Sequence, residues 1–499
     1  MAPSRQSKDS KMAATDVDFA TNTTIEIPAG LSRRSLLRMG LWGGTAGTLA
    51  FGSPLLWGNL AHALDNGAPI AKLKDRYFLF LYFPGAWDVL LSLDPRDPVA
   101  FNEGNVAKTS ILPAYDKLKS GTTATNKPVW VNDVSGQPVL LGAQLGSMIE
   151  QFKKGRVAIV RGMSMDTVTH EVGRRRFITA KPPSGLLARG SSGATWLATL
   201  LGEKEIVPNL AMRFESYNID QPNFASGLKV ATVADLVRAL KTAPEALSAK
   251  SAQLVDNFLS QQAMCPSAAA RGSWSTAEAS RLKSKQMTQG GLDKLFEFQA
   301  KTPDMEKLRG HYGISATDAN ALATLPAQAA MAVTALTSGV SRVVSATVSD
   351  GLDTHFEDWT TVQAPRQLAA FELVSKMLDD LASRPYPGDK GESWLDHVTI
   401  LGFSEFSRSP TLNNYSGRDH HITNSCFVAG AGIKGGQIIG QSSDLAMSPQ
   451  TVNLVTGKVQ PGAEILKPEH IYMAFLKQLG IAGDPYDLRV DPLTALLKS

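Results

Sequence analysis

Cysteine is almost absent: the 499-residue chain holds only Cys265 and Cys426, far apart and in no Cys-x-x-Cys pair. That leaves one disulfide open but excludes a disulfide scaffold and a cysteine zinc site. Charge of one sign is also scarce, with a formal net charge of +4. Without residues 1–63 the balance is 44 Lys/Arg against 42 Asp/Glu. No basic stripe interleaved with aromatics occurs, so a nucleic-acid surface is excluded as a main function. There is no haem-attachment motif, no dinucleotide glycine fingerprint and no copper-type Cys-His-Met cluster, which removes the usual redox classes. Internal repeats are missing too. With 43% hydrophobic and 19% charged residues the composition is that of a globular protein, long enough for one large core or two ordinary ones.

The amino terminus carries an address. Ser32-Arg33-Arg34-Ser35-Leu36-Leu37-Arg38 has the form of a twin-arginine export motif, followed by a moderately apolar, glycine-rich run and by Ala61-His62-Ala63, a small-x-small cleavage pattern. About 20 apolar residues would also cross a bilayer, but Gly43, Gly44, Gly47, Gly52 and Pro54 interrupt this run as a span. The expectation is a removable signal over 1–63, handled by the twin-arginine translocase. The remainder, 64–499, would be periplasmic or secreted, with no stable membrane span after cleavage.

In the mature chain, Tyr77–Phe83 is a continuous apolar run ended by Pro84-Gly85, the pattern of a central strand buried on both faces. Similar runs occur at 157–160, 343–348 and 398–403. The span 365–384 places Leu368, Phe371, Val374, Leu378 and Leu381 at helical spacing, and Pro468–Leu479 reads as a closing helix. Strands alternating with helices predict an α/β fold, a mostly parallel sheet sandwiched by helices. Residues 232–335, rich in Ala, Ser, Lys and Gln, read as a helical insertion within it. Residues 103–145 read as a loop and short-strand cover.

Clusters of carboxylates and imidazoles gather at the ends of these runs: PGAWD near 88, THEVGRRRF at 169–177, DGLDTH ending at His355, SEFSR at 404–408 and GRDHH at 417–421. Oxygen and imidazole ligands delivered at strand ends are what a divalent-metal site on an α/β scaffold requires. Asp88 follows a sharp Pro-Gly turn and is a candidate ligand, or else a turn cap. Asp353 and His355, two apart in an extended segment, point the same way and can meet one ion. Glu405, at the tip of a buried strand, needs either a cation or a partner such as Arg408. Arg408 could also hold an oxyanion. Asp419 and His420 can face one ion from a loop, and His421 is either a ligand or a supporting partner. His170 falls near the start of a helix with Arg174, an arrangement that favours an anion or an otherwise solvated arginine face.

Taken together, these segments resemble the twin-arginine-exported, sulfatase-like domain-of-unknown-function family fifteen-oh-one. The resemblance covers most of residues 75–490. It rests on DGLDTH, SEFSRSP, GRDHH and the GAGIKGGQIIG stretch up to Gly440. The family is similar to the alkaline phosphatase superfamily, which implies an α/β/α sandwich with one or two divalent ions (zinc, manganese or calcium) at the strand ends. By position, the resemblance implies Asp88, Asp353, His355, Glu405 and His420 as ligands; the reading of the residues above adds Asp419 to them and places His170 and Arg408 in the reaction. The superfamily's nucleophile position falls nearest His170, where no serine or cysteine stands, so Thr169 is the candidate. PGAWD also departs from the glycine-rich first-strand motif usual in the family. The expected activity is hydrolysis of a phosphate or sulfate ester of a small molecule or glycan, with Arg408 or Arg174 clamping the anion. The alternative is a non-catalytic envelope protein that retains a metal or anion site for binding.

Overall fold

Side chains on a strand alternate between its two faces, so the apolar run beginning at Tyr77 can be buried only between two layers. In the computed structural model, which describes residues 75–118, 126–183, 189–241, 248–265, 273–388 and 391–498, this run is strand β1 (Tyr77–Tyr82), buried throughout. Tyr77, Leu79, Leu81 and Phe83 enter one hydrophobic core; Phe78, Phe80 and Tyr82 enter another.

Seven further strands complete the main sheet. They are β2 (Val157–Ser164), β3 (Asn209–Met212), β4 (Leu228–Val230), β5 (Val343–Thr347), β6 (Val398–Phe403), β7 (Thr423–Gly430) and β8 (Ile438–Ile439). Their order is β8-β2-β7-β6-β1-β5-β3-β4. β1 pairs in parallel with β5 and β6, placing Tyr82 beside both Thr347 and Phe403. The β5–β3, β3–β4 and β8–β2 pairs are parallel as well. Only β7 opposes its neighbours, lying antiparallel to β2 and β6. The sheet is therefore mostly parallel, and the fold class is α/β.

Nine helices of eight residues or more accompany it among the described residues: α1 (His170–Thr179), α2 (Gly193–Leu201), α3 (Val233–Leu240), α4 (Ala249–Met264), α5 (Ser273–Gln289), α6 (Pro303–Tyr312), α7 (Leu325–Thr337), α8 (Gln363–Ser383) and α9 (Pro468–Gln478). α7 and α8 seal the first core through Met331, Leu336, Phe371, Val374 and Leu378. α1, α2 and α9 seal the second through Phe177, Trp196, Tyr472 and Phe475. Helices thus cover both faces of the sheet. The span 232–335 contains α3 to α6 and most of α7, and residues 103–145 contain the small hairpin Val129–Asn132 with Pro138–Leu141. Cys426 is buried in β7 while Cys265 is exposed beyond α4, and they form no disulfide. The twin-arginine segment and its cleavage pattern lie outside the described residues. No helix among the described residues is long and apolar enough to cross a membrane.

The reversed direction of β7 positions the site. Parallel strands end at one sheet edge, and an antiparallel strand begins there. The segments after β1, β2, β5 and β6, and the segment before β7, therefore converge at one edge. The strands that carry them, β2, β7, β6, β1 and β5, are contiguous in the sheet.

Phe371 of α8 sits in the first core with its ring centroid 4.9 Å from Phe83 and 6.0 Å from both Trp87 and Phe427. Phe371→Ala should lower unfolding free energy by about 3–5 kcal/mol. Urea titration measures this, with an unchanged slope expected; a loss well under 1 kcal/mol would contradict the packing described.

Candidate functional site at the carboxyl edge of the sheet

The loops at this edge are clamped to one another before any chemistry is considered. Gly85 follows β1 at φ +98°, and a Cβ there would lie 2.5 Å from the Asp353 amide nitrogen. Only glycine lets PGAWD lie against DGLDTH at that approach. Gly417 does the same for the GRDHH segment, where a Cβ would stand 2.0 Å from the His355 carbonyl oxygen. Ala86 is held at φ +63°, a costly conformation for alanine that surrounding contacts must enforce. α8 supplies two of those contacts: Gln363 donates to the Ala86 carbonyl (2.9 Å), and Gln367 donates to the Asp88 carbonyl (2.9 Å) and accepts from the Asp88 amide (3.1 Å).

SEFSR and GRDHH form the stem of one hairpin, with Arg408 opposite His420 in a short antiparallel ladder. Arg408, 1% exposed, spends its guanidinium on the protein. It donates to the carbonyls of Ala86 (2.9 Å), Gly85 (2.5 Å) and Leu352 (3.3 Å), and to Asp353 Oδ1 (2.6 Å). Its remaining Nη1 faces His355 Nε2 at 3.3 Å. Expected as an oxyanion clamp, Arg408 is a buried tie between three loops, because its donors are already engaged. It does not pair with Glu405.

Three imidazoles and one carboxylate then meet. His170 opens α1 with Nδ1 2.7 Å from Glu405 Oε1. His420 Nδ1 lies 2.7 Å from the Val168 carbonyl, and His355 Nδ1 lies 3.1 Å from Asp419 Oδ1. With each Nδ1 engaged by an oxygen acceptor, the Nε2 atoms turn toward Asp353 Oδ1: His355 at 3.1 Å, His170 at 3.4 Å and His420 at 3.8 Å. The ligand atoms of His170, Asp353 and His420 all lie within 4.8 Å of one another.

The donor set suits a divalent cation. The Val168 carbonyl can only accept, so His420 Nδ1 carries the proton, and the ionised Glu405 asks the same of His170. Neutral rings would therefore present two Nε2 lone pairs to each other, yet these atoms stand 3.1 Å apart. That contact requires a shared proton or a cation. Two nitrogens bound tetrahedrally to zinc would be separated by about 3.3 Å. Anchoring each far ring nitrogen on an oxygen is also how metal-binding histidines are oriented. His170 Nε2, Asp353 Oδ1 and His420 Nε2 are thus the atoms that could hold such an ion.

Charge is distributed accordingly. Burial raises the Glu405 carboxyl, but the His170 hydrogen bond and the Gly85 amide (2.9 Å) outweigh it and hold the group below its ordinary value. Burial lowers His170, yet Glu405 and Asp353 raise it above the usual imidazole range. Burial also raises Asp353, and the Arg408 guanidinium overrides it downward. His420 is held low by burial and by the neighbouring cations.

Several expected residues have other work. Asp88 is not brought to the cluster. Fully buried, it accepts from the Leu90 amide (3.0 Å) and faces Arg418 Nε at 3.0 Å, an ion pair sealed from solvent. Glu405 and Asp419 reach the far ring nitrogens of His170 and His355 rather than the space between the rings. Arg174 bonds Glu215 through Nη2 at 2.7 Å, which turns that donor to a protein carboxylate. Thr169 is exposed at the cap position of α1 and makes no capping hydrogen bond. His421 remains outside the cluster and is held low by burial. Sequence reasoning passed over Gln363, Gln367 and Asn413. The first two were visible as polar residues in the stripe that continues to Phe371; Asn413 left no local signal.

Because the folded Glu405 carboxyl lies below its ordinary value of 4.5, its stabilising contribution is present above that pH and is lost as pH falls through the folded pKa. Glu405→Gln should lower neutral-pH stability of the metal-free protein and flatten its acid limb, as read by denaturant midpoints from about pH 2 to 7. An acid limb parallel to that of wild type would contradict the His170–Glu405 pairing.

Among solved structures, the chain is similar to Ps i-CgsB in complex with k-i-k-neocarrahexaose, at 9% identity and a TM-score of 0.35, covering 84% of this chain and 75% of that one. It is also similar to the PsFucS1 sulfatase from Pseudoalteromonas sp., at 9% identity and a TM-score of 0.27, covering 89% and 76%. At these scores neither likeness bears on the reaction. No curated protein matches the chain. The model of a family described as "Protein of unknown function (DUF1501)" matches residues 76–456, and the chain belongs to that family.

Proposed function

We propose that the chain is an exported, metal-dependent hydrolase of phosphate or sulfate esters. The observation that carries this reading is the pair of imidazoles with anchored Nδ1 atoms whose Nε2 atoms face each other at 3.1 Å beside the Asp353 carboxylate. In this reading His170, Asp353 and His420 hold the ion, which when bound supplies a Lewis acid for an ester oxygen. Glu405 and the Val168 carbonyl fix the tautomers of His170 and His420, so that Nε2 is the atom offered. Arg408 holds Asp353 in place. His355 has its Nδ1 on Asp419 and its Nε2 against Asp353 and the Arg408 guanidinium, and so helps to hold Asp353. Thr169 stands at a solvent-facing helix start, next to His170 in the sequence, and is the hydroxyl candidate for a nucleophile; an activated water is the other.

A second reading, a non-catalytic envelope protein that keeps the ion for binding, is favoured by Arg408. Its guanidinium is spent on protein groups and so is not available to clamp an anion. The readings separate on turnover. Purified wild type should carry a stoichiometric divalent metal by elemental analysis and hydrolyse a phosphate or sulfate ester. Asp353→Ala/His420→Ala should lose both while retaining its fold by circular dichroism. Metal retention without turnover of any ester supports the binding protein; a metal-free wild type that ignores added zinc, manganese and calcium removes both.

Export by the twin-arginine route belongs to the same proposal. Arg33→Lys/Arg34→Lys should leave the full-length protein inside the producing cell, as judged by fractionation and immunoblotting. Unchanged export would reject the address.

A further inference from the structure

Large apolar side chains left in solvent beside a polar cluster are a feature that needs an occupant. Phe356, which directly follows His355, is 56% exposed, and Tyr415 is 68% exposed. Their ring centroids are 5.4 Å apart at an interplanar angle of 60°, so the two rings form one continuous apolar surface. Val168 (42%) and Ile422 (40%) add exposed apolar surface within two residues of His170 and His420.

The aromatic pair is tied to the cluster and does not hang on a loose loop. Asn413 Oδ1 accepts from the Tyr415 and Gly417 amides, each at 2.9 Å. Asn413 Nδ2 reaches the His355 carbonyl and Asp419 Oδ1, each at 3.0 Å. The Ser416 carbonyl accepts from the buried Trp359 indole at 2.9 Å, and Ser416 is held at φ +58°. Gly417 lies directly on the His355–Phe356 backbone. Holding two exposed rings in one fixed place reduces the ordering cost of binding against them.

We propose that Phe356 and Tyr415 form the subsite for the alcohol portion of the substrate, and that this portion presents a ring with an apolar face. The inference rests on the ester-hydrolase reading and deepens it by naming the substrate class. Planar aryl rings and the carbon-hydrogen face of a pyranose share this chemistry, since each can cover an aromatic ring without needing hydrogen-bond partners there. Binding energy collected on this non-reacting part would assist the ester end held at the ion. A small alkyl ester would forgo it.

The test uses the metal-loaded full protein, Phe356→Ala/Tyr415→Ala, and the ring-conserving Phe356→Tyr/Tyr415→Phe. Kinetics with 4-nitrophenyl phosphate, glucose 6-phosphate and methyl phosphate, and with the matching sulfates, give the ratio of kcat/KM for each ring-bearing ester to that for the methyl ester. In the double-alanine variant this ratio should fall about tenfold, mainly through KM, and the ring-conserving variant should restore it. Loss for the 4-nitrophenyl ester alone assigns an aryl group; loss for the glucose ester assigns a sugar. An independent readout is calorimetric binding of 4-nitrophenyl β-glucoside, which has no ester to hydrolyse. It should bind wild type and lose about tenfold in affinity in the double-alanine variant. Unchanged ratios, or probe binding that ignores the substitutions, would overturn the subsite. A wild type that binds the probe through these rings yet turns over no ester would leave the subsite standing and reject the hydrolase.

Discussion

One guanidinium holds this edge of the sheet together. Arg408 lies where PGAWD, DGLDTH and the SEFSR–GRDHH hairpin meet, and it joins carbonyls from the first two to the Asp353 carboxylate. A buried cation is tolerable only when its donors are engaged and a counter-charge is near. Both conditions are met by groups that the site needs in fixed positions. The planar fork matters here, since a lysine could not address three carbonyls and a carboxylate at once. Arg418, ten residues on and likewise buried, makes the corresponding tie to Asp88, Ser409 and Leu112. Two arginines on one hairpin thus convert four loops into a rigid frame, and the histidines inherit their positions from it.

Within that frame, orientation depends on what touches the back of each ring. Glu405, Asp419 and the Val168 carbonyl never reach the space between the imidazoles, yet they decide which nitrogen is offered there. The carboxylates therefore divide into those that face the centre, represented by Asp353, and those that support it from behind. Residue type alone does not separate these two roles.

That division marks what could be read in the sequence. The strands at Tyr77, Val157, Val343 and Val398 were legible because a double-sided core demands unbroken apolar runs. The strands at Asn209, Leu228 and Ile438 are four, three and two residues long, too short to establish a period. β7 was hidden because it opens with Thr423-Asn424-Ser425, polar side chains that are nonetheless buried. At the site, the nearness of Asp353 and His355 followed from their two-residue spacing in an extended segment, but not that His170 rather than His355 joins Asp353 and His420 in the group that could hold an ion. The roles of Glu405, Asp419 and Asp88 did not follow, because each is set by a partner far away in sequence: His170 is 235 residues from Glu405, and the Asp88 partner Arg418 lies in another loop. Strand-end position told where a carboxylate would be delivered, not which atom it would find.

The antiparallel strand has a consequence for how the molecule comes into being. β2 touches the rest of the sheet only through β7 and β8, both of which follow residue 422. Before those residues take their place, β2 has no strand partner, and α1, which begins six residues after it, reaches the β6-β1-β5 centre by side-chain packing such as Phe177 on Phe403. His420 lies just before β7, so its meeting with His170 is registered by the seating of that strand between β2 and β6. A chain that stops before the reversed strand keeps all three histidines but lacks the sheet link that ties the β2 edge, and with it His170, to the β6-β1-β5 centre.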